Sequence, residues 1–408
     1  MMTPEFIGAK LNAFEYATLH NEANANDGAN PVFQPDNYVG ESNPYLFPRT
    51  DFTNDFLKQS ASYKQLSFSA SGGNDIAKYY TLVSYMRQDG IFDMPDNLGA
   101  LNQTYNERYN FRTNLDVNLG KGFVLNTNIN AVFDDRRSPW YSSSYNANST
   151  NSYIFNSLMK TPANAFPLIN PNGSLGGTSE YRDNPVALLG AGTRVENTRQ
   201  LTANVSLKKD LSDWIKGLSV SMQYAFENYN AYYKANYRVY GVSQYNADST
   251  YSTYGVDDTK LSTAGGQMSD YYSDMTFNAT ALYNRTFGLS TISASVNFNQ
   301  YVSNVSGDVP AYKWLGTSSQ FMYNYDNRYS LGLTGTYQGS NSYAPGKRFG
   351  FFPAAHLMWD IAREDFFNTS DVVSGLKFRS SFGLNANDRT GGARFMHRQA
   401  YYNTGGYD

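Results

Sequence analysis

Hydrophobic and polar positions alternate with a period of two along most of the chain from Tyr63 onward. The clearest case is the stretch 109–119, where Tyr109, Phe111, Leu115 and Val117 alternate with polar residues. Successive side chains of a β-strand point to opposite faces, so this pattern predicts strands with one apolar and one polar face. We predict about twelve strands, near 63–71, 76–88, 107–119, 123–134, 199–208, 217–229, 272–286, 289–300, 317–325, 329–338, 349–361 and 376–385.

The connections between these strands alternate in length. Tight turns at 72–75, 120–122 and 326–328 alternate with long segments such as 89–106 and 135–198. In an up-and-down barrel, every second connection lies at the same end, and outer-membrane barrels have short periplasmic turns and longer extracellular loops. A soluble antiparallel sheet with one wet face shows the same alternation within a strand, but it has no reason to alternate its loop lengths. We therefore predict an all-β fold, a partial antiparallel transmembrane β-barrel.

The first sixty residues follow a different pattern. Asn12 is a candidate helix N-cap, and Glu15 three residues later completes a capping box, which predicts a helix over about 13–25. Four prolines between positions 30 and 50 predict a loop. We therefore divide the chain into a helical and Pro-rich loop segment, 1–60, and a partial β-barrel with long extracellular loops, 61–408.

The composition excludes several function classes. Cysteine is absent, which excludes thiol catalysis, Cys-ligated zinc and disulfides, and a formal net charge of −3 does not indicate a nucleic-acid partner. The sequence contains no run of about 18 apolar residues, so it predicts no membrane-spanning helix. The N-terminus lacks the basic and apolar regions of a signal peptide. An outer-membrane protein needs one, so we expect that it has been lost by truncation.

Several motifs occur in a recognisable order along the chain. They are Ala13–Ala17, Ser71–Gly73, Lys78–Tyr80, Gln88–Ile91, Arg108–Asp116, Tyr323–Tyr329, and Phe349–Ala354 followed by Trp359, Ile361, Glu364 and Phe366. In this order they resemble SusC/RagA-type TonB-dependent outer-membrane transporters of Bacteroidetes, and the likeness covers nearly the whole chain. The first of these motifs resembles the segment that follows the plug domain in that family.

The resemblance implies a fold and a function. A complete family member carries a signal peptide, a TonB box, a plug domain and about 22 strands, so this chain corresponds to about half of a large plugged barrel. The implied function is active import of oligosaccharides or peptides across the outer membrane. The implied partners are a SusD-like surface lipoprotein, outer-membrane lipid and the TonB–ExbB–ExbD complex, which would act through the missing plug. The alternatives are a passive porin-like or structural barrel, and a secreted carbohydrate-binding β-protein.

Signals for catalysis are weak. The three histidines, His20, His356 and His397, are far apart and have no second ligand at metal-binding spacing. We predict that the chain is not an enzyme and binds neither a cofactor nor a metal.

Aromatic residues in the long connections are the best candidates for substrate binding. We single out Trp140, Tyr141, Tyr145 and Tyr240, which lie among many Asn and Ser residues. Aromatic faces beside amide and hydroxyl groups suit sugars and peptides, because they provide rigid amphipathic contacts. Packing within the loops is the alternative role for these side chains.

Overall fold

The structure is a computed structural model that describes residues 10–40, 42–93, 104–140, 147–255, 262–267, 271–305, 311–367, 372–388, 395 and 397. Its helices are α1 (Ala13–Asn26), α2 (Ala147–Lys160) and α3 (Pro185–Gly190), with short 3₁₀ turns at Pro35–Tyr38 and Ile361–Arg363. Its strands are β1 (Tyr63–Gly73), β2 (Ala77–Asp89), β3 (Tyr105–Gly120), β4 (Phe123–Pro139), β5 (Gly192–Asp210), β6 (Leu218–Tyr237), β7 (Val242–Tyr245), β8 (Tyr251–Tyr254), β9 (Ser262–Gln267), β10 (Tyr272–Phe287), β11 (Ser290–Val305), β12 (Tyr312–Tyr325), β13 (Tyr329–Ser340), β14 (Phe349–Asp360) and β15 (Lys377–Gly383).

One antiparallel sheet dominates the fold. Its twelve main strands pair in chain order, β1 to β6 and then β10 to β15, while β9 adds to the outer part of β6. Each of the twelve predicted strands corresponds to one of these strands, so the prediction is confirmed. In the described part of the chain, β1 and β15 are the two edges, so the sheet is open as expected for part of a barrel.

The two faces of the sheet differ in chemistry, as the alternation predicted. On the apolar face, Val83 is paired with Phe111, and Phe111 with Ala131, across β2, β3 and β4. The apolar face is uncovered: Phe68 is 70% exposed and Phe351 61% exposed. We call the opposite surface the polar face.

Side chains on the polar face bond to one another across neighbouring strands. Asn110 Nδ2 donates to Ser84 Oγ at 3.0 Å, and Asn126 Nδ2 donates to Asp116 Oδ1 at 2.6 Å. Such cross-strand pairs stabilise the register without apolar burial. A sheet with one apolar and one hydrogen-bonded polar face is the arrangement found in membrane barrels.

The connections occupy the two ends of the sheet unequally. Short turns lie at one end, which we call the turn end, with 361–376 as the longer exception. Asp326 and Asn327 at this end have φ values of 50° and 54°, the left-handed conformation that a tight type I′ hairpin requires. The connections 90–104, 140–191 and 238–271 lie at the other end, the loop end, which contains α2, α3 and the β7–β8 hairpin.

Residues 10–60 lie against the loop end. Helix α1 begins with the predicted capping box, in which Asn12 Oδ1 accepts from the Glu15 amide and Glu15 Oε2 accepts from the Asn12 amide. The Thr50 amide donates to the Ala163 carbonyl at 2.9 Å, and the Lys58 amide to the Ile91 carbonyl at 2.8 Å. The division at residue 60 stays a prediction.

A buried hydrophobic cluster fills the loop end. We call it the loop-end core; its buried members are Phe52, Phe56, Leu57, Phe92, Ile154, Leu158, Phe166, Val186, Leu188 and Leu189. It joins the N-terminal segment to α2, α3 and the connection after β2. The long connections therefore form a packed layer over one end of the sheet.

Strands β4 and β5 extend further toward the loop end than the alternation predicts. The alternation ends at 134 and resumes at 199, whereas β4 ends at Pro139 and β5 begins at Gly192. Charged residues occupy both faces here, and the ladder nevertheless continues, with Arg136 paired to Glu196. Backbone pairing does not require apolar side chains, so a hydrophobicity pattern underestimates strand length outside an apolar environment.

Among the described residues, no helix has the length and apolar character needed to cross a membrane.

Candidate functional site

Trp140 lies at the loop end in a packed cluster on the polar face. It is only 2% exposed, and its amide donates to the Gly192 carbonyl at 3.0 Å. The Arg194 guanidinium lies 4.6 Å from the Trp140 ring centroid and 3.8 Å from that of Tyr233. Arg194 Nε also donates to Glu196 Oε1 at 2.6 Å. Because Arg194 is buried, stacking and ion pairing together compensate its charge.

The other predicted binding residues lie elsewhere. Tyr240 is half-buried and packs against the loop-end core. Tyr141 and Tyr145 lie outside the residues that the structure describes. Trp140 and Tyr240 are thus packed side chains, and a role for any of the four in substrate binding stays a prediction.

A cavity of about 850 Å³ lies between α2 and the loop-end parts of β2, β3 and β4. Its volume is within the usual range for small-molecule pockets, about 300–1,000 Å³. Arg108, Arg136, Arg137, Asp89 and Asp134 are the charged residues of its wall. We call this space the arginine cavity.

The charges of the arginine cavity are only partly paired. Arg108 Nε contacts Asp134 Oδ2 at 2.8 Å. Asp89 Oδ1 contacts the Nε of Arg87, a residue outside the wall, also at 2.8 Å. Within the described part of the chain, Arg136 and Arg137 form no ion pair, and the Nε of Arg137 is buried without a hydrogen-bond acceptor. The cavity is therefore basic.

Helix α2 and its surroundings hold the outer wall of the cavity in place. Tyr153 Oη donates to Asp183 Oδ1 at 2.8 Å, and Ser157 Oγ donates to Asp183 Oδ2 at 3.0 Å. At the C-terminal end of α2, Lys10 Nζ donates to the carbonyls of Leu158 and Thr161. Burial lowers the pKa of Lys10, and attraction to Asp51 only partly opposes that shift.

Among the described residues, no group of three His, Cys, Asp or Glu side chains is close enough to hold a metal ion.

Curated proteins that are similar to the chain are TonB-dependent receptors. No family model matches it. TonB-dependent receptor P26 of Formosa agariphila is 22% identical over 409 residues, which cover 95% of this chain and 38% of the receptor. TonB-dependent receptor P3 of the same organism is 24% identical over 364 residues, 80% of this chain and 33% of the receptor. The chain thus spans between a third and two fifths of the length of these relatives.

Solved structures of the RagAB peptide importer have the same fold. The 'open-open' state matches with a TM-score of 0.59 and 18% identity, covering 99% of this chain and 45% of that chain. The 'closed-closed' state matches with a TM-score of 0.55 and 18% identity, covering 84% of this chain and 39% of that chain. The resemblance to SusC/RagA-type TonB-dependent receptors is confirmed. The predicted fold class, part of such a barrel, is confirmed with it.

Sequence reasoning missed the arginine cavity. Arg136 and Arg137 are adjacent in a chain in which only 16% of residues are charged, and they directly follow two aspartates. That local break in the alternation was the available signal. Helix α2 is distant in sequence from β2, and nothing in the sequence indicated that they enclose one cavity.

Proposed function

We propose that this chain is the loop-bearing wall of an outer-membrane receptor that imports oligosaccharides or peptides. The single observation that carries the proposal is the open, ordered sheet with one apolar and one polar face. It matches the RagAB peptide importer over 99% of this chain. In such a receptor the apolar face contacts lipid, and the polar face lines the interior. The packed connections at the loop end then form the extracellular entrance.

The proposal includes the partners implied by the family. A SusD-like surface lipoprotein would cover the loop end, and the TonB–ExbB–ExbD complex would supply energy through a plug domain outside this chain. The likeness to RagAB, a peptide importer, supports transport of this kind. The receptor relatives from Formosa agariphila support dependence on TonB.

Gene deletion tests the proposal. We expect a strain without the gene to lose growth on a defined set of oligosaccharides or peptides, and a tonB deletion to abolish the same uptake. Uptake that persists without TonB would instead indicate a passive pore. Recovery of the chain in the culture medium, with no uptake defect, would indicate a secreted binding protein.

Affinity purification from detergent-solubilised outer membranes tests the lipoprotein partner. We expect a surface lipoprotein to co-purify in a stoichiometric amount. Purification of the receptor alone under mild detergent would contradict this part of the proposal.

A further inference from the structure

Two positively charged residues lie on the apolar face close to the turn end. Lys209 of β5 is paired with Val220 of β6, which is paired with Ala281 of β10. Arg285 follows Ala281 by four residues, so the alternation of side chains along β10 places it on the same face. In the described strands, no acidic residue lies on this face within four residues of the turn end. The apolar face therefore carries only positive charge at this edge.

The two side chains carry their charges away from the apolar surface and toward the turns. Lys209 Nζ lies 4.5 Å from the Phe123 ring centroid, and beside Gly122 in the turn between β3 and β4. The Arg285 guanidinium lies 4.4 Å from the ring centroid of Phe287, the last residue of β10. Long basic side chains adopt this arrangement at the edge of a bilayer, where the stem stays in an apolar environment and the charge reaches the headgroups.

The turn that connects β5 to β6 lies between these two charges and carries an exposed tryptophan. The Asn284 amide donates to the Gly217 carbonyl at 2.9 Å, which fixes this turn beside β10. Trp214 in the same turn is 78% exposed. Tryptophan is enriched at membrane–water interfaces, because its ring is amphipathic. We call Lys209, residues 211–217 and Arg285 the turn-end rim.

The turn-end rim has an excess of positive charge. Lys216 is exposed and adds a third cation to Lys209 and Arg285. None of the three forms an ion pair with any residue that the structure describes. Asp213 is the single acidic residue of the rim, since the neighbouring Asp210 lies on the polar face. Three cations against one carboxylate leave positive charge for an anion from outside the chain.

The position of the rim determines the source of that anion. In the proposed receptor the short turns face the periplasm, so the rim lies at the periplasmic leaflet, which consists of phospholipids. Lysine and arginine bind phosphate oxygens through charge-assisted hydrogen bonds. In a zwitterionic headgroup an ammonium group of the same molecule balances the phosphate, whereas the phosphate of phosphatidylglycerol keeps its full charge. A rim with excess positive charge therefore favours the anionic lipid.

We propose that the turn-end rim binds anionic phospholipids of the periplasmic leaflet. Lys209, Lys216 and Arg285 contact the headgroup phosphates, and Trp214 lies among the headgroups beside them. This contact fixes the height of the sheet in the bilayer. The inference rests on the proposed outer-membrane function and names a lipid partner for the receptor.

Fluorescence quenching of Trp214 tests the inference. The complete receptor that contains this chain is reconstituted in phosphatidylcholine vesicles that include either brominated phosphatidylglycerol or brominated phosphatidylcholine. The Trp214 signal is the difference between the native receptor and Trp214→Phe. We expect phosphatidylglycerol to bind at least about fivefold more tightly than phosphatidylcholine, which corresponds to about 1 kcal/mol, the contribution of one basic residue at an anionic surface. High salt should weaken this preference, because it depends on charge.

Removal of the three cations assigns the preference to the rim. In Lys209→Gln/Lys216→Gln/Arg285→Gln the preference for phosphatidylglycerol should disappear, while quenching by brominated phosphatidylcholine stays unchanged. Urea unfolding in vesicles shows whether this variant is folded. If it is not, Lys216→Glu decides: it reverses one exposed charge two residues from Trp214 and should also weaken phosphatidylglycerol binding.

A matched control removes the same number of charges from the other end of the same face. Lys64, Lys234 and Lys313 are exposed and lie on the apolar face near the loop end. The variant Lys64→Gln/Lys234→Gln/Lys313→Gln should keep the full preference for phosphatidylglycerol at Trp214.

Three results would overturn the inference. Equal binding of the two brominated lipids would exclude an anionic preference. Absence of quenching at Trp214 by either lipid would mean that the rim lies outside the bilayer. An equal loss of preference in the control variant would mean that the net charge of the receptor attracts the lipid, and not the rim.

The inference and the proposed function fail separately. TonB-dependent uptake by a receptor that binds both lipids equally would refute only the inference. A lipid preference that depends on the rim, in a receptor without gene-dependent uptake, would refute only the import function.

Discussion

Leu115 in β3 provides a direct test of which face of the sheet contacts lipid. It lies on the apolar face, is 37% exposed and is paired with Tyr79 and Thr127. Asn114, the preceding residue, lies on the polar face between Tyr80 and Asn128. The two positions differ by one residue in height and are opposite in orientation, so they form a matched pair.

The height of Leu115 follows from strand geometry. It lies five residues before Gly120, where β3 ends at the turn end, and a rise of about 3.4 Å per residue gives about 17 Å along the strand. With a strand tilt of about 40°, that distance is about 13 Å along the membrane normal. The apolar band of an outer-membrane barrel is about 25 Å tall, so Leu115 should lie near the bilayer midplane.

We therefore expect Leu115→Arg to lower the free energy of unfolding by about 2–4 kcal/mol, because an arginine at the midplane must leave water. Asn114→Arg should cost roughly 0.5 kcal/mol or less, as at a solvated surface. Urea unfolding of the complete receptor, refolded in lipid vesicles, measures both values. Leu115→Gln separates the effect of polarity from that of charge. Equal costs for the two arginine variants, or a larger cost at Asn114, would refute our assignment of the faces.

Three further predictions concern the parts of the chain outside the bilayer. Phe56→Ala should destabilise the loop-end core by about 3–5 kcal/mol, because it removes a fully buried aromatic side chain. Urea unfolding, followed by the resistance of the long connections to proteolysis, would show this loss of stability. Asn12→Ala should cost helix α1 about 1 kcal/mol by removing the capping bond, and faster hydrogen exchange confined to residues 13–26 is the expected signature. Tyr329 Oη and Trp359 Nε1 donate to Glu364 Oε1 at 2.6 and 2.9 Å, and these bonds hold the pKa of Glu364 below its ordinary value of 4.5. A carboxyl whose pKa is lowered by folding stabilises the folded state at pH values above its pKa in the unfolded chain, and this stabilisation is lost as the pH falls through its pKa in the folded chain. Glu364→Gln should therefore unfold at a lower urea concentration than the native protein at pH 7, but not in strong acid. An equal difference at both pH values would contradict this.

The sequence by itself determined where the strands are and how each faces. The alternation of stretches such as 109–119 is a local property of an extended backbone, so it located all twelve main strands without any knowledge of their partners. The capping box at Asn12 and Glu15 is local in the same way, and it predicted α1 correctly. The order of short and long connections then determined which ends of the strands lie together.

Only the tertiary structure decided how the loop end is assembled. Phe52 and Phe56 pack with Ile154 and Leu158, about a hundred residues away in the chain, and no periodicity records such contacts. Helix α2 and the β7–β8 hairpin were not predicted, because their sequences are short and polar and gain their stability from this packing. The arginine cavity depends on the same long-range contacts, since its wall combines β2, β3 and β4 with α2. Strand positions follow from a local pattern of polarity, whereas a binding cavity requires residues that are distant in sequence to meet.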